Sequence, residues 1–323
     1  MYLFEMIEIN DIDEKEYNSF ENKTPFTTIP WLKFLSEDKN AIPKIVRITR
    51  DGELIGYFSG LLFSKCGIKI FGSPFKGWTT NYMGFDLYNY DLISDLVKPT
   101  IEFIMKETKC VYLELVDRHL TEKDLKDSEF KIDVVKNLEV DIDKSDEEIL
   151  KSIKKDCKEF IRQFERRGAT IEEVEPDDEF LQNLYQQLCE VFSKQDLVPP
   201  YSLDKLKRCV KYLKDTGMML CLSVKEPQGK VIASYIYIGL NKKCIAWCTS
   251  STREFQRLRP NEYMVWYGIR KFRDKGYKVF DFSGPRGYKY KWNPNEVEYV
   301  RITYTKYPFL IKIRDNILTI YWK

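Results

Sequence analysis

Histidine is nearly missing: His119 is the only one in 323 residues. A histidine-rich metal site, an HExxH zinc centre and a cysteine–histidine nucleophile would all have to draw on that residue, so these mechanisms are set aside. His119 itself, beside acidic loop-like sequence before Thr121, reads as a surface or loop-end residue. Glycine and proline are sparse, 15 and 13, against 43% hydrophobic and 32% charged residues. That balance excludes collagen-like, low-complexity and wholly disordered chains. Long apolar runs are lacking too. The longest, Ile55 to Phe63 and Val231 to Leu240, fall far short of the roughly 20 residues of a membrane helix. Met1 to Asn10 has no basic segment leading into an apolar one, so no signal peptide is expected. No charge of one sign dominates: 52 Lys and Arg stand against 50 Asp and Glu, a net +2 that argues against a DNA-coating protein and makes any basic patch local. Eight cysteines are scattered without a CxxC, mostly in apolar runs, which fits reduced, buried thiols and a cytoplasmic protein.

The length favours two compact units over one. Aromatics reach 15%, with 21 Tyr, enough for generous cores or for stacking surfaces that hold a polar organic ligand. Two stretches share an order of elements. Lys44 to Thr49, a turn at Gly52, Leu54 to Phe63, Ile68 to Phe71, a Gly/Pro loop, a helical segment and Cys110 to Leu115 form the first. Met219 to Val224, a turn at Gly229, Val231 to Ile238, Cys244 to Cys248, a loop, a helix over Asn261 to Lys275 and Lys278 to Phe282 form the second. Gly-centred turns between β-rich runs are hairpin signals, so the chain reads as a duplicated α/β unit, 1–144 and 145–323, with the tail packing back on the first.

The second half opens on a capping box, Ser145-Asp-Glu-Glu148, and a helix is expected from there to a C-cap at Gly168. Ile149, Ile153, Cys157, Phe160 and Phe164 mark its apolar face, and Lys151, Lys155, Lys158, Arg162 and Arg166 a basic one. That stripe reads either as a seat for an anionic partner or as a solvated face. Helices over Asp178 to Lys194 and Ser202 to Asp215 follow, broken by Val198-Pro-Pro-Tyr; Glu298 to Thr305 alternates like a strand, and Phe309 to Trp322 has mixed helical periodicity that leaves peripheral membrane contact open.

Strand, two helices, three strands, helix, strand and a further strand, twice over, resembles tandem GNAT acyltransferase domains, and the chain as a whole resembles FemABX-like proteins. Four segments carry the likeness: Thr24 to Lys33, Leu150 to Gly168, Arg259-Pro260, and Phe280 to Gly284 leading into Tyr288-Lys-Tyr290-Lys291. The resemblance implies a mixed α/β fold and acyl transfer to an amine. The donor would be an aminoacyl-tRNA or an acyl-CoA, used as co-substrate with no tightly bound cofactor. The acceptor would be an anionic nucleotide- or lipid-linked cell-envelope precursor, or an amino sugar in the acetyl-CoA variant. It places Lys33 and Arg162 at acceptor phosphate, and Tyr290 and Lys291 near the acyl end of the donor.

Two departures matter. The R/Q-x-x-G-x-G/A cradle of CoA-dependent domains reads here as Arg257-Leu-Arg259-Pro-Asn261-Glu262, without either glycine; a helix N-terminus with Arg257 and Arg259 still favours an anion on the donor side. The long helical arm of some members is also missing. With no histidine for acid–base work, alignment of amine and activated ester would supply much of the rate, Lys291 stabilising negative charge and Asp281 accepting a proton if buried, or else capping the following turn. Tyr290 reads as a donor contact or a core aromatic. The loop Gly72 to Gly84, with Lys76, Trp78 and Tyr82, reads as an acceptor pocket or as a loop folded over its own aromatics. A non-catalytic module holding a sugar nucleotide or RNA is the reading from a different class.

Overall fold

A computed structural model describes residues 1–65, 67–125 and 129–309. Cys66 and the expected helical tail from 310 onward lie outside them. The described part of the first half runs β1 (Tyr2–Ile7), α1 (Glu14–Tyr17), α2 (Ile29–Lys39), β2 (Ile42–Arg50), β3 (Glu53–Lys65), β4 (Ile68–Ser73), β5 (Gly84–Leu87), α3 (Ile93–Thr108) and β6 (Tyr112–Asp117). It continues with β7 (Lys131–Asp141), α4 (Asp146–Ser152), α5 (Lys155–Arg166), β8 (Thr170–Glu173), α6 (Asp178–Ser193), α7 (Leu203–Leu213), β9 (Met219–Lys225), β10 (Val231–Leu240), β11 (Lys243–Ser251), α8 (Pro260–Asp274), β12 (Val279–Asp281) and β13 (Asn295–Thr305).

The chain divides into two compact units, Met1–Val135 with the described residues from Glu298, and Lys136–Val297. In the first, the strand order is β1-β2-β3-β4-β6-β13, with β5 also on β3. In the second it is β8-β9-β10-β11-β12-β7. Each sheet is antiparallel except for one parallel pair, β4 with β6 and β11 with β12. The two units therefore share one topology, the GNAT topology expected from the order of elements. They also exchange their last strand: β7, which follows β6 in sequence, completes the second sheet on β12, and β13 completes the first on β6.

Local chemistry accounts for the elements. The β2–β3 hairpin closes through Asp51 and Gly52 at φ 52 and 89, the pair of positive values that a two-residue hairpin turn needs. β10 is buried on both faces from Ile232 to Gly239, which explains its near-continuous apolar sequence. Core formation is separate in each unit, around Phe58, Phe71, Ile101 and Leu113 in the first and around Leu222, Tyr237, Ile269 and Phe280 in the second. The seven described cysteines are free thiols, six of them buried.

One expectation is corrected. The helix over Ser145 to Gly168 is two helices, α4 and α5, parted by Ile153 and Lys154 in extended backbone. Its capping box is present, with Ser145 and Glu148 bonding reciprocally. Gly168 at φ 74 takes the left-handed position beyond Arg167. Neither Pro nor Gly causes the break. The Lys154 N–H donates 2.9 Å to the carbonyl of Lys291, a tertiary partner that an unbroken helix could not offer.

Candidate active site in the second unit

β11 and β12 pair only between Lys243–Ile245 and Val279–Asp281. Beyond Ile245, β11 continues to Ser251, while the chain after Asp281 turns away through Ser283 at φ 63 into a 3-10 turn over Gly287–Trp292. Strands that part in this way leave a wedge. A cavity of about 580 Å³ opens there, walled by Thr249, Ser250 and Ser251 of β11 on one side and by Phe282, Lys289 and Lys291 on the other.

The start of α8 closes one end. Asn261 and Glu262 line the cavity. Asn261 accepts from the Tyr235 hydroxyl at 2.7 Å and donates to Gln256 at 3.0 Å, and Gln256 donates on to Ser251 at 2.8 Å. This chain fixes the side-chain amide, because each polar atom has a stated partner. The Glu262 carboxylate, 7% exposed, pairs with the Lys291 ammonium. Lys291 also lies 5.8 Å from the Phe160 ring of α5. An ion pair so shielded holds the lysine in one place along the wall. The Ser250 hydroxyl is buried and has no hydrogen-bond partner among the described residues. Burial pushes the Cys157 thiol up to about 12 despite Lys291 nearby, which leaves it protonated and unreactive at neutral pH.

The other residues singled out in sequence fall as follows. Asp281 is wholly buried at the end of β12; its Oδ1 accepts from Asn137 at 2.7 Å and from the Ser283 N–H at 2.6 Å, the geometry of a turn cap. Burial raises its carboxyl above the usual range, with Lys243 opposing. Tyr290 donates to Glu296 at 2.6 Å on a different side of the 3-10 turn from the lining residues. Arg259, at φ 61 ahead of α8, lies 3.8 Å over the Phe160 ring and donates to Gln163 at 3.2 Å. Arg257 is exposed, and its carbonyl accepts from Arg167. Arg162 is exposed on α5. In the first unit, Lys33 is exposed on α2, next to a fully buried Trp31 whose indole donates to Thr80 at 3.3 Å. That bond ties α2 to the loop of Lys76 and Trp78. The Lys76 N–H donates to Glu114, Trp78 meets Phe75 edge to face at 5.1 Å, and Tyr82 is buried between Phe26 and Tyr299.

Glu262, Lys289, Ser250 and Tyr235 were not singled out from sequence. Lys289 had a signal, since it lies inside a segment that carries the resemblance, and Glu262 had a weaker one, as the last residue of the stretch that departs from the CoA cradle. Among the described residues no group of His, Cys, Asp and Glu is placed to hold a metal ion, and no helix is long and apolar enough to cross a membrane.

Residues 151–292, which include every residue lining the cavity, match the family described as Acetyltransferase (GNAT) domain. No curated protein matches the chain. The crystal structure of FemX has a TM-score of 0.77 at 15% identity, covering 96% of this chain and 99% of that one. The structure of L-PGS from Bacillus licheniformis gives 0.52 at 12%, covering 85% and 91%. A tandem GNAT protein from the clavulanic acid biosynthesis pathway, without AcCoA, gives 0.52 at 8%, covering 94% and 98%. Residues 151–292, and with them the cavity, thus belong to a GNAT domain. The chain as a whole has the fold seen in FemX and in the tandem GNAT protein.

Proposed function

We propose that the protein forms an amide by transferring an aminoacyl group from aminoacyl-tRNA to an amine on a cell-envelope precursor. The observation that carries this reading is the wedge between β11 and β12, with Lys291 fixed by Glu262 at its wall inside the matched domain. An acyl ester entering the wedge meets a cation, Lys291, which can face the oxygen on which negative charge develops when an amine adds to the carbonyl. An aminoacyl ester is already activated, so holding it against the amine supplies a large part of the acceleration.

The entrance to α8 favours tRNA over CoA as the donor. Pro260 opens the helix and has no N–H, Arg259 is spent on Phe160 and Gln163, and the glycines that would let backbone amides close on a pyrophosphate are not there.

The test is incubation of the pure protein with mixed charged tRNAs, and separately with a panel of acyl-CoAs. Candidate amino-sugar and peptidyl amines serve as acceptors, and products are read by mass spectrometry. Amide formed only with charged tRNA is the expected result. Product from acyl-CoA alone would move the assignment to N-acetyl transfer, and no product with either would leave a binding module.

A further inference from the structure

Lys289 is the lysine in the wall of the wedge that the reading above leaves without a role. It is 9% exposed, lines the cavity, and donates to the carbonyls of Phe282 at 2.6 Å and Gly284 at 2.7 Å. Among the described residues these two carbonyls are its hydrogen-bond partners. An ammonium carries three N–H donors and no acceptor, whereas a neutral amine carries two donors and one lone pair. Two carbonyls take up both donors of the neutral form and leave one of the ammonium's three without a carbonyl.

We infer that Lys289 is the proton acceptor of the acyl transfer, its two N–H groups tied to Phe282 and Gly284 and its lone pair left to the cavity. The inference rests on the acyltransfer reading above and adds the group that carries the proton. The acceptor amine enters as its neutral form, its ammonium having released one proton to bulk water beforehand, and the proton that remains to be moved is the one its nitrogen carries in excess after attack. The neutral amine bonds to the acyl carbon, and the bond from that carbon to the leaving oxygen or sulfur breaks. The proton on the attacking nitrogen passes to Nζ of Lys289, and the leaving atom takes that proton back. The products are an amide and a free hydroxyl or thiol, and Lys289 returns to its starting state.

The electrostatic setting agrees. Burial is the largest influence and brings the Lys289 ammonium down to about 8, with Asp281 of β12 opposing and Arg286 of its own segment assisting. The ring of Tyr288 lies 5.9 Å away. Glu262 and Arg253 face the same cavity from the start of α8 and the segment before it, and Lys291 lies two residues on; Glu262 is already paired with Lys291.

Two measurements on the full chain test the proposal. Trace acetylation of the wild type by acetic anhydride between pH 6 and 11, read peptide by peptide by mass spectrometry, reports which lysines carry an accessible lone pair. Lys289 is expected to label with a midpoint near 8. A midpoint in the ordinary lysine range, or no labelling while exposed lysines react, overturns the assignment. The second measurement is single-turnover transfer with whichever donor and acceptor the wild type uses. Lys289→Met and Lys289→Arg should both lose about 10²-fold or more in rate and lose the rise in rate with pH. A Lys289→Arg rate within about threefold of wild type, with its pH profile intact, overturns the role. A wild type that forms no amide sinks the functional reading instead, and the labelling midpoint still decides the state of Lys289.

Discussion

The backbone N–H of Lys154 donates to the carbonyl oxygen of Lys291 at 2.9 Å, across 137 residues of sequence. That bond sits at the interruption between α4 and α5, so the interruption of one helix positions the residue that faces Glu262. α5 in turn brings Phe160 beneath both Lys291 and Arg259. The stretch that resembles a basic helix in sequence therefore acts here as a support for the 3-10 turn Gly287–Trp292.

Lys154→Pro tests this support. Lys154 lies at φ −63 and ψ 150, and Ile153 at φ −76 and ψ 160, angles that suit proline and the residue before it. The substitution suits both sets of backbone angles, removes the donor and sets the ring Cδ against the Lys291 carbonyl, which must move aside. Chemical denaturation should show a loss of about 1–3 kcal/mol. Transfer activity should fall by about tenfold or more, because a displacement of about 1 Å in a reacting group is costly. Unchanged activity with the stability loss would reduce the bond to a staple.

Lys291→Met should lower the single-turnover rate by about 10²-fold while ligand affinity stays within about threefold. The variant strands Glu262, a nearly buried carboxylate, and a fall in Tm is expected with it. Adding Glu262→Gln should restore much of the Tm and none of the rate. If affinity and product formation both survive Lys291→Met, the assigned role is wrong.

The depressed ammonium of Lys289 makes stability depend on pH in a stated direction. Its folded value of about 8 lies below the ordinary 10.5, so between those values the unfolded chain holds more protons and stability from this group rises with pH. The contribution is present above 10.5 and is lost as pH falls through 8. Equilibrium unfolding of wild type against Lys289→Met should show the difference between them moving in favour of wild type across that window, by up to roughly 3 kcal/mol. A flat difference would contradict it.

Titration with CoA separates the donor classes at little cost. With Pro260 at the head of α8 and Arg259 engaged, binding weaker than about 1 mM is expected by calorimetry. Micromolar affinity, abolished by Arg257→Ala or Arg259→Ala, would return the site to CoA.

Much of the fold was legible because its signals are local. Asp51-Gly52 and Gly229 marked hairpins, and the capping box at Ser145 marked a helix start. Asp281 could be read as a turn cap from its position before Ser-Gly. The structure adds that Asp117 does the same at the end of β6, its Oδ1 accepting from the His119 N–H at 2.8 Å. The helix break at Ile153 was not legible, because the apolar spacing through Ile149, Ile153 and Cys157 runs on undisturbed and the cause lies at Lys291. Lys289 was hidden for a similar reason. In Tyr288-Lys-Tyr-Lys291 nothing local says which lysine turns inward, and only the 3-10 turn and two carbonyls decide it.

The crossing of β7 and β13 means that the gene cannot be cut where its two copies meet. A fragment ending at Lys144 would carry β7 without its partner β12 and leave β6 with an open edge where β13 belongs; a fragment starting at Ser145 would leave β12 bare in the same way. Unclosed edges of that kind seek other chains, so each piece is expected to aggregate where the intact polypeptide does not. During synthesis the first sheet must wait for nearly the whole chain to emerge before its last strand arrives, and duplication has thereby been turned into mutual dependence.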